Sequence, residues 1–256
     1  MITIKTKSEI EKLREGGRRL ARILDEVAQA VRPGVSAAGL DALAERLTKE
    51  GGDTPAFLKY KPDGAKRPYP ASLCVSVNDE VVHGIPNERE KILKEGDIVS
   101  LDMGLIHQGL ITDMAVTVPV GSVDASAQKL LEVTQGALAA GIKAASAGAT
   151  VGDIGFAISA VIRPHRFGIV EELAGHGVGY KVHEDPYVPN YGKRGEGAKL
   201  KAGMVLAIEP MVNEGGKAIV LLPDGYTYRT ADGKRSAHFE KTIVITDGEA
   251  EILTAI

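Results

Sequence analysis

The sequence predicts a mixed α+β fold assembled from two repeat-related halves. Three observations carry that expectation. Helical and β-like patterns run in the order helix, helix, strands, and then repeat that order. Short motifs of the first half return in the second in the same sequence. Acidic residues stand at matching places in both halves, inside otherwise apolar stretches where an unpaired charge is costly.

The first helix is expected from Ser8-Glu9-Ile10-Glu11, which has the form of a capping box with Ser8 as N-cap. Ile10, Leu13, Leu20, Ile23, Leu24 and Val27 follow at helical spacing, and Arg32-Pro33-Gly34 ends the run. Ser36 caps a second helix carrying Leu40, Leu43 and Leu47, closed by Gly51-Gly52. Residues 53–70, rich in Pro, Lys and Gly, read as a loop. Short β-branched runs broken by Gly, Asn and Pro mark strands between Leu73 and Val120. Residues 126–146 and 150–163 read as two more helices, and strands return from Leu173 to the C-terminus.

The repeat is visible in three motifs. Val82-His83-Gly84-Ile85-Pro86 returns as Val182-His183-Glu184-Asp185-Pro186. The stretch 94–102, ending in Ser100-Leu101-Asp102, returns as 201–209, ending in Ala207-Ile208-Glu209. Asp113-Met114-Ala115-Val116 resembles Glu240-Lys241-Thr242-Ile243. No linker-like composition separates the halves. One domain over residues 1–256 is therefore expected, with pseudo-twofold halves at about 8–120 and 126–250.

Bulk properties narrow the class. Hydrophobic residues make up 44% of the 256, enough for a real core. A net charge of −3, from 31 basic and 34 acidic residues, gives no global pull toward nucleic acid or anionic membrane. The lone Cys74 excludes an intrachain disulfide. The charged N-terminus lacks an apolar signal region, and no apolar run approaches the roughly 20 residues that span a bilayer. A cytoplasmic protein is expected.

In the stretch 97–102, Ile98, Ser100 and Asp102 share one face of a half-buried strand, with Asp102 at its C-terminal end. Glu209 has the same place in the second half. Asp113 begins a strand after the turn Gln108-Gly109, and Glu240 lies in an apolar strand. Any one of these acids is more often a solvent-facing strand end. Four at repeat-related places predict a buried cluster, which cannot stay ionised without compensating cations. Two divalent ions supply the balance, and carboxylates can bridge them. His176, flanked by Gly175 and Gly177, and His183 are candidates beside that cluster, although each taken alone fits an ordinary core or surface histidine. His107, His165 and His238 have no repeat partner; His238 stands only two residues from Glu240.

With these residues in place, the chain resembles the methionine aminopeptidases over essentially its whole length. The resemblance runs through 83–86, 175–179, 183–186, 208–213 and the segment 236–246. It implies a pita-bread fold, two pseudo-twofold-related αβ halves around a central antiparallel sheet. It also implies Asp102, Asp113, His176, Glu209 and Glu240 as ligands of two divalent ions, whether cobalt, manganese, iron or zinc. Asp102 would chelate one ion, His176 and Glu209 the other, and Asp113 and Glu240 would bridge. Glu209 would shuttle a proton, and His83 and His183 would hydrogen-bond the substrate. Tyr69, Cys74, Val182 and Tyr226, with His83, match positions lining a methionine pocket. The short interval between His183 and Glu209 is similar to the bacterial, type I form.

This chain departs from the family's usual residues at several places. Val82 stands where cysteine is frequent, Val182 where an aromatic is, and Tyr226 where tryptophan is. His238 and Lys241 replace a glutamine and a histidine. The implied activity is removal of the initiator methionine from nascent chains, with a small second residue, by a monomer. Two other readings stay open. One is a prolidase or Xaa-Pro aminopeptidase, which usually carries a large domain ahead of the first helix. The other is a non-catalytic pita-bread binding module, which typically loses metal ligands. The basic loop of Lys59, Lys61, Lys66 and Arg67 is either simply solvated or a transient contact for ribosomal RNA phosphate.

Overall fold

The computed structural model describes residues 2–256. The first half contains α1 (Lys7–Gln29), α2 (Ala37–Glu50), β1 (Thr54–Pro55), β2 (Cys74–Val77), β3 (Glu80–Val82), β4 (Ile98–His107) and β5 (Leu110–Pro119). The second opens with α3 (Ala125–Ala144), α4 (Val151–Ile162) and a short 3-10 turn (Arg163–His165). Strands β6 (Gly168–Ile169), β7 (Ala174–Gly177), β8 (Glu184–Pro189), β9 (Val205–Ile208) and β10 (Met211–Asn213) follow. The chain ends with β11 (Ile219–Leu221), β12 (Tyr228–Thr230), β13 (Ser236–His238), β14 (Lys241–Val244) and β15 (Glu251–Ile252).

Each half is a helix pair laid on an antiparallel sheet. In the first, Leu20, Leu24 and Leu40 pack against Leu101, Met103 and Leu105 of β4. In the second, Leu130, Ala137, Ile154 and Ile158 pack on Leu206, Ile208 and Ile243. Each fully buried leucine or isoleucine contributes about 1.5–3 kcal/mol of apolar transfer. Helix α1 lies so close to the C-terminal segment that a Cβ on Gly17 would stand 2.4 Å from the Leu253 carbonyl oxygen.

The first sheet runs β1-β4-β2, with β5 also paired to β4. The second runs β15-β14-β9-β7-β8, and two three-stranded sheets, β13-β10-β6 and β11-β12-β3, flank them. Sheets one and two meet where β5 touches β14. There the Asp113 amide donates to Thr242 Oγ1 at 2.9 Å, and the Thr242 hydroxyl returns a bond to the Asp113 carbonyl at 2.7 Å. The Glu240 amide donates to the Ala115 carbonyl at 2.9 Å across the same seam.

Four expectations are corrected. The capping box is Thr6 with Glu9, not Ser8 with Glu11. Both pairs fit the pattern, and the earlier one wins because the Lys5 amide is bonded to the Gly203 carbonyl and the helix turns immediately after it. Strand β4 does not end at Asp102 but runs on to His107, so Asp102 is a mid-strand acid. Likewise Asp113 is the fourth residue of β5, and Glu240 falls between β13 and β14. For Asp102 and Asp113 the cause is the hairpin turn: Gln108 and Gly109 both have positive φ, 49° and 81°, the two-residue geometry that keeps flanking strands paired.

Candidate metal centre

The β4–β5 hairpin fixes the first two acids. Asp102 stands opposite Ala115 and Asp113 opposite Gly104. That register puts both carboxylates on one face as diagonal neighbours. The seam with β14 brings Glu240 beside them. From the second sheet, β7 contributes His176, paired opposite Ala207 of β9, and Glu209 follows the last residue of β9. Asp102, Asp113 and Glu240 are buried, while the side chains of His176 and Glu209 are 11% and 12% exposed where they open into a cavity. All five line that cavity, of about 290 Å³, together with His83, His183, Tyr69, Cys74, Val182 and Tyr226. The structure thus brings every singled-out site residue to one place.

Ligand atoms of Asp113, His176 and Glu240 lie within 4.8 Å of one another. His176 Nδ1 is 2.9 Å from the Gly177 carbonyl, so a proton there donates to that oxygen and leaves Nε2 with its lone pair. Nε2 in turn stands 3.3 Å from Glu209 Oε1. Burial, with nearby His183, holds His176 down to about 3, so the ring is neutral near pH 7. Burial pushes Asp113 up to about 7. It pushes Asp102, Glu209 and Glu240 well above the ordinary carboxylate range, and the neighbouring carboxylates add to the rise.

These carboxylates have no internal cation. No Lys or Arg lines the cavity among the described residues. Lys241, the nearest in sequence, donates to the Thr254 carbonyl at 2.7 Å instead. Asp102 Oδ1 and Glu240 Oε1 are buried without a hydrogen-bond partner. Four crowded carboxylates, orphaned oxygens and a neutral imidazole with a free Nε2 are the donor set of a divalent-metal site. The residues fit the group that the sequence implied.

The rest of the cavity wall is built from both halves. His83 terminates β3 in the left-handed region at φ 58°, a conformation that costs energy in a non-glycine residue and recurs at functional sites. Its carbonyl accepts from Thr227 Oγ1 at 3.3 Å. His183 stands exposed at the cavity rim, its ring 4.5 Å from that of His176. Tyr69 donates to the Gly84 carbonyl at 3.0 Å and meets Tyr226 edge-on at 5.2 Å. Cys74 and Val182 pack in the same apolar cluster.

Sequence reasoning missed Phe57, Tyr60 and Tyr187, which also line the cavity. Phe57 and Tyr60 sit in the segment read as a loop, and nothing in the repeat pointed to them. Lys59, Lys61 and Lys66 are exposed as expected of the basic loop. Arg67 is committed elsewhere: its guanidinium bonds Glu88 at 2.8 Å and the Asp224 carbonyl at 3.2 Å.

The chain is similar to known proteins over its whole length. Residues 11–247 match the model of metallopeptidase family M24. The chain is 44% identical to methionine aminopeptidase 1 of Bacillus subtilis over 256 residues, covering 100% of both chains. It is 45% identical to the methionine aminopeptidase of Aquifex aeolicus, over 100% of this chain and 99% of the other. The crystal structure of the Thermotoga maritima methionine aminopeptidase superposes with a TM-score of 0.94 at 45% identity over 100% of both chains. The Xaa-Pro dipeptidase of Bacillus anthracis, at 22% identity and TM-score 0.76, covers 99% of this chain and 62% of that one, and shares the fold alone. The chain belongs to metallopeptidase family M24, and within it to the methionine aminopeptidases, with their pita-bread fold.

Proposed function

We propose that this protein hydrolyses the first peptide bond of nascent polypeptides to release the N-terminal methionine, with a small second residue preferred and two divalent ions as cofactor. The observation that carries this reading is the convergence of five metal-type ligands on one cavity walled by Tyr69, Cys74, Val182 and Tyr226. Residues 1–256 would act as one catalytic domain.

Asp102 would hold one ion, His176 and Glu209 the other, and Asp113 and Glu240 both. Bound divalent ions supply Lewis acidity toward the scissile carbonyl and acidify water near neutral pH. Glu209, the most open of the carboxylates, takes the proton of the attacking water and passes it to the leaving amine. His83 and His183 donate hydrogen bonds to the scissile peptide and to the oxygen that gains charge. The apolar walls receive an unbranched, polarizable side chain, for which packing matters more than polar contacts.

No helix among the described residues is long and apolar enough to cross a membrane. A monomer in the cytoplasm suits a substrate that emerges from the ribosome. Lys59, Lys61 and Lys66 would make a transient, salt-sensitive contact there. Replacing all three by Ala should lower ribosome co-sedimentation and leave tripeptide turnover intact.

The direct test is turnover of Met-Gly-type and Xaa-Pro peptides by metal-stripped protein, with each divalent ion added back in turn. Methionine release restored by metal is expected. Release only from substrates with proline second would instead favour a prolidase-type activity.

A further inference from the structure

One buried polar group of the site has no part in the roles above. His238, the last residue of β13, is paired opposite Met211 and is 1% exposed. Its backbone is pinned to β5: the amide donates to Thr117 Oγ1 at 2.9 Å, and the carbonyl accepts from the same hydroxyl at 2.7 Å. The imidazole is therefore held in place from behind. Neither ring nitrogen has a hydrogen-bond partner. An orphaned N–H in the interior costs free energy unless it faces a group that uses it.

The group it faces is Glu209. His238 Nε2 stands 3.5 Å from Glu209 Oε2, while His176 Nε2 stands 3.3 Å from Oε1. The carboxylate is thus flanked by two imidazoles, one at each oxygen. His176 lines the cavity and its ligand atom clusters with Asp113 and Glu240, whereas His238 does neither. That difference separates a metal-facing imidazole from one that backs the carboxylate. When Glu209 is ionised, as it is when holding a cation, only a proton on Nε2 makes the second arrangement attractive, because two lone pairs facing each other repel.

We propose that His238 is a positioning residue for Glu209, donating its Nε2–H to Oε2 and so fixing the orientation in which Oε1 is presented beside His176. The inference rests on the assignment of Glu209 as ligand and proton carrier. It adds a partner that sets the geometry and basicity of that carboxylate. Such outer partners of metal ligands typically matter by about 10- to 100-fold in metal affinity or activity.

The test compares His238→Gln, whose amide N–H can still donate, with His238→Leu, of similar bulk and without a donor. Metal-stripped protein is titrated with manganese(II) in a calorimeter, and kcat and KM are measured with Met-Ala-Ser. His238→Leu should weaken manganese binding by about 10- to 100-fold and lower kcat more than it raises KM. His238→Gln should retain most of both. Equal losses in the two variants, or unchanged affinity and kcat in His238→Leu, overturn the inference. Wild-type protein that binds no divalent ion is a different result, and overturns the metallopeptidase reading together with this inference. If His238→Leu does not fold, nitrogen NMR of the wild-type protein loaded with diamagnetic zinc(II) decides: a neutral His238 ring protonated at Nε2 is expected, and protonation at Nδ1 overturns it.

Discussion

The phenol of Tyr60 lies 3.1 Å from Nδ1 of His183, joining the loop of the first half to a histidine at the cavity rim in the second. The rings are tilted by 49° with centroids 5.8 Å apart, so the contact is made edge to tip rather than by stacking. A phenol donating to Nδ1 keeps the His183 proton on Nε2, the state in which that nitrogen can stabilise an oxyanion. It also restrains a side chain that is otherwise exposed at the rim.

Tyr60→Phe should therefore lower kcat for Met-Ala-Ser, and His183→Ala should lower it further, by about 10²-fold or more. Metal content should stay at wild-type level in both. The combined variant should be no worse than His183→Ala alone, because the two act as a unit. Additive losses in a double-mutant cycle would separate Tyr60 from His183, and metal loss in His183→Ala would make that histidine a ligand.

Asp113→Ala or Glu240→Ala should disrupt both ion sites, since each carboxylate is proposed to bridge. Bound metal, read by elemental analysis after dialysis, should fall well below wild type, and turnover should be nearly abolished. Normal stoichiometry with normal turnover in either variant would rule out a dinuclear assignment.

The four acids of the proposed metal centre were legible because each is a charged residue inside apolar sequence at a repeat-related place, whereas His176, between two glycines, was singled out as a ligand only through the resemblance. Asp102 was misplaced at a strand end because an acid looks like a terminus. Only the pairing of β4 with β5 over its full length carries the strand through it. Tyr60 was illegible for the opposite reason. It lies in a polar loop, and its partner is 123 residues away. The position of Thr6 as helix cap depended on the Lys5–Gly203 bond, another long-range contact invisible to local pattern. Local periodicity reports what a residue's own segment demands, and these positions are set by other segments.

Lys5 and Glu184 offer a test of stability. Their side chains are 1% and 5% exposed, with Nζ and Oε2 at 2.7 Å. Burial alone would raise the Glu184 carboxyl. Hydrogen bonds from Lys5, Thr3 and the Lys181 amide outweigh it and hold the group below its ordinary 4.5. A carboxyl lowered on folding adds stability that is fully present above the unfolded value and is lost as pH falls through the folded one. Lys5→Met should lower stability at pH 7 by removing the cation, leaving the Glu184 carboxylate only the Thr3 hydroxyl and backbone amides as donors. Glu184→Gln should flatten the fall in stability below pH 4.5, measured by urea unfolding across pH. A wild-type slope retained in Glu184→Gln would assign the acid sensitivity to other carboxyls.

Val182 is the wall residue on which specificity should turn. It is 3% exposed, lines the cavity and packs in one cluster with Tyr69, Cys74 and Tyr226. Tyr69 and Tyr226 are each fixed by a hydrogen bond, to the Gly84 and Arg67 carbonyls, so those two walls are rigid. Val182 has no polar anchor, and its small side chain fills less of the cavity on that side than an aromatic would. A wide pocket forfeits dispersion contacts to methionine and admits branched first residues. Val182→Phe should fill that space and raise the ratio of kcat/KM for Met-Ala-Ser over Leu-Ala-Ser. A methylene-sized mismatch is worth about 1–3 kcal/mol, so the gain should lie within roughly 10- to 200-fold. An unchanged ratio would shift the discriminating wall to Phe57 and Tyr60, which line the same cavity from the 57–69 loop. A ratio that falls, with KM for methionine rising, would mean that phenylalanine occupies the space methionine itself needs, and that the smaller valine is what lets the substrate in.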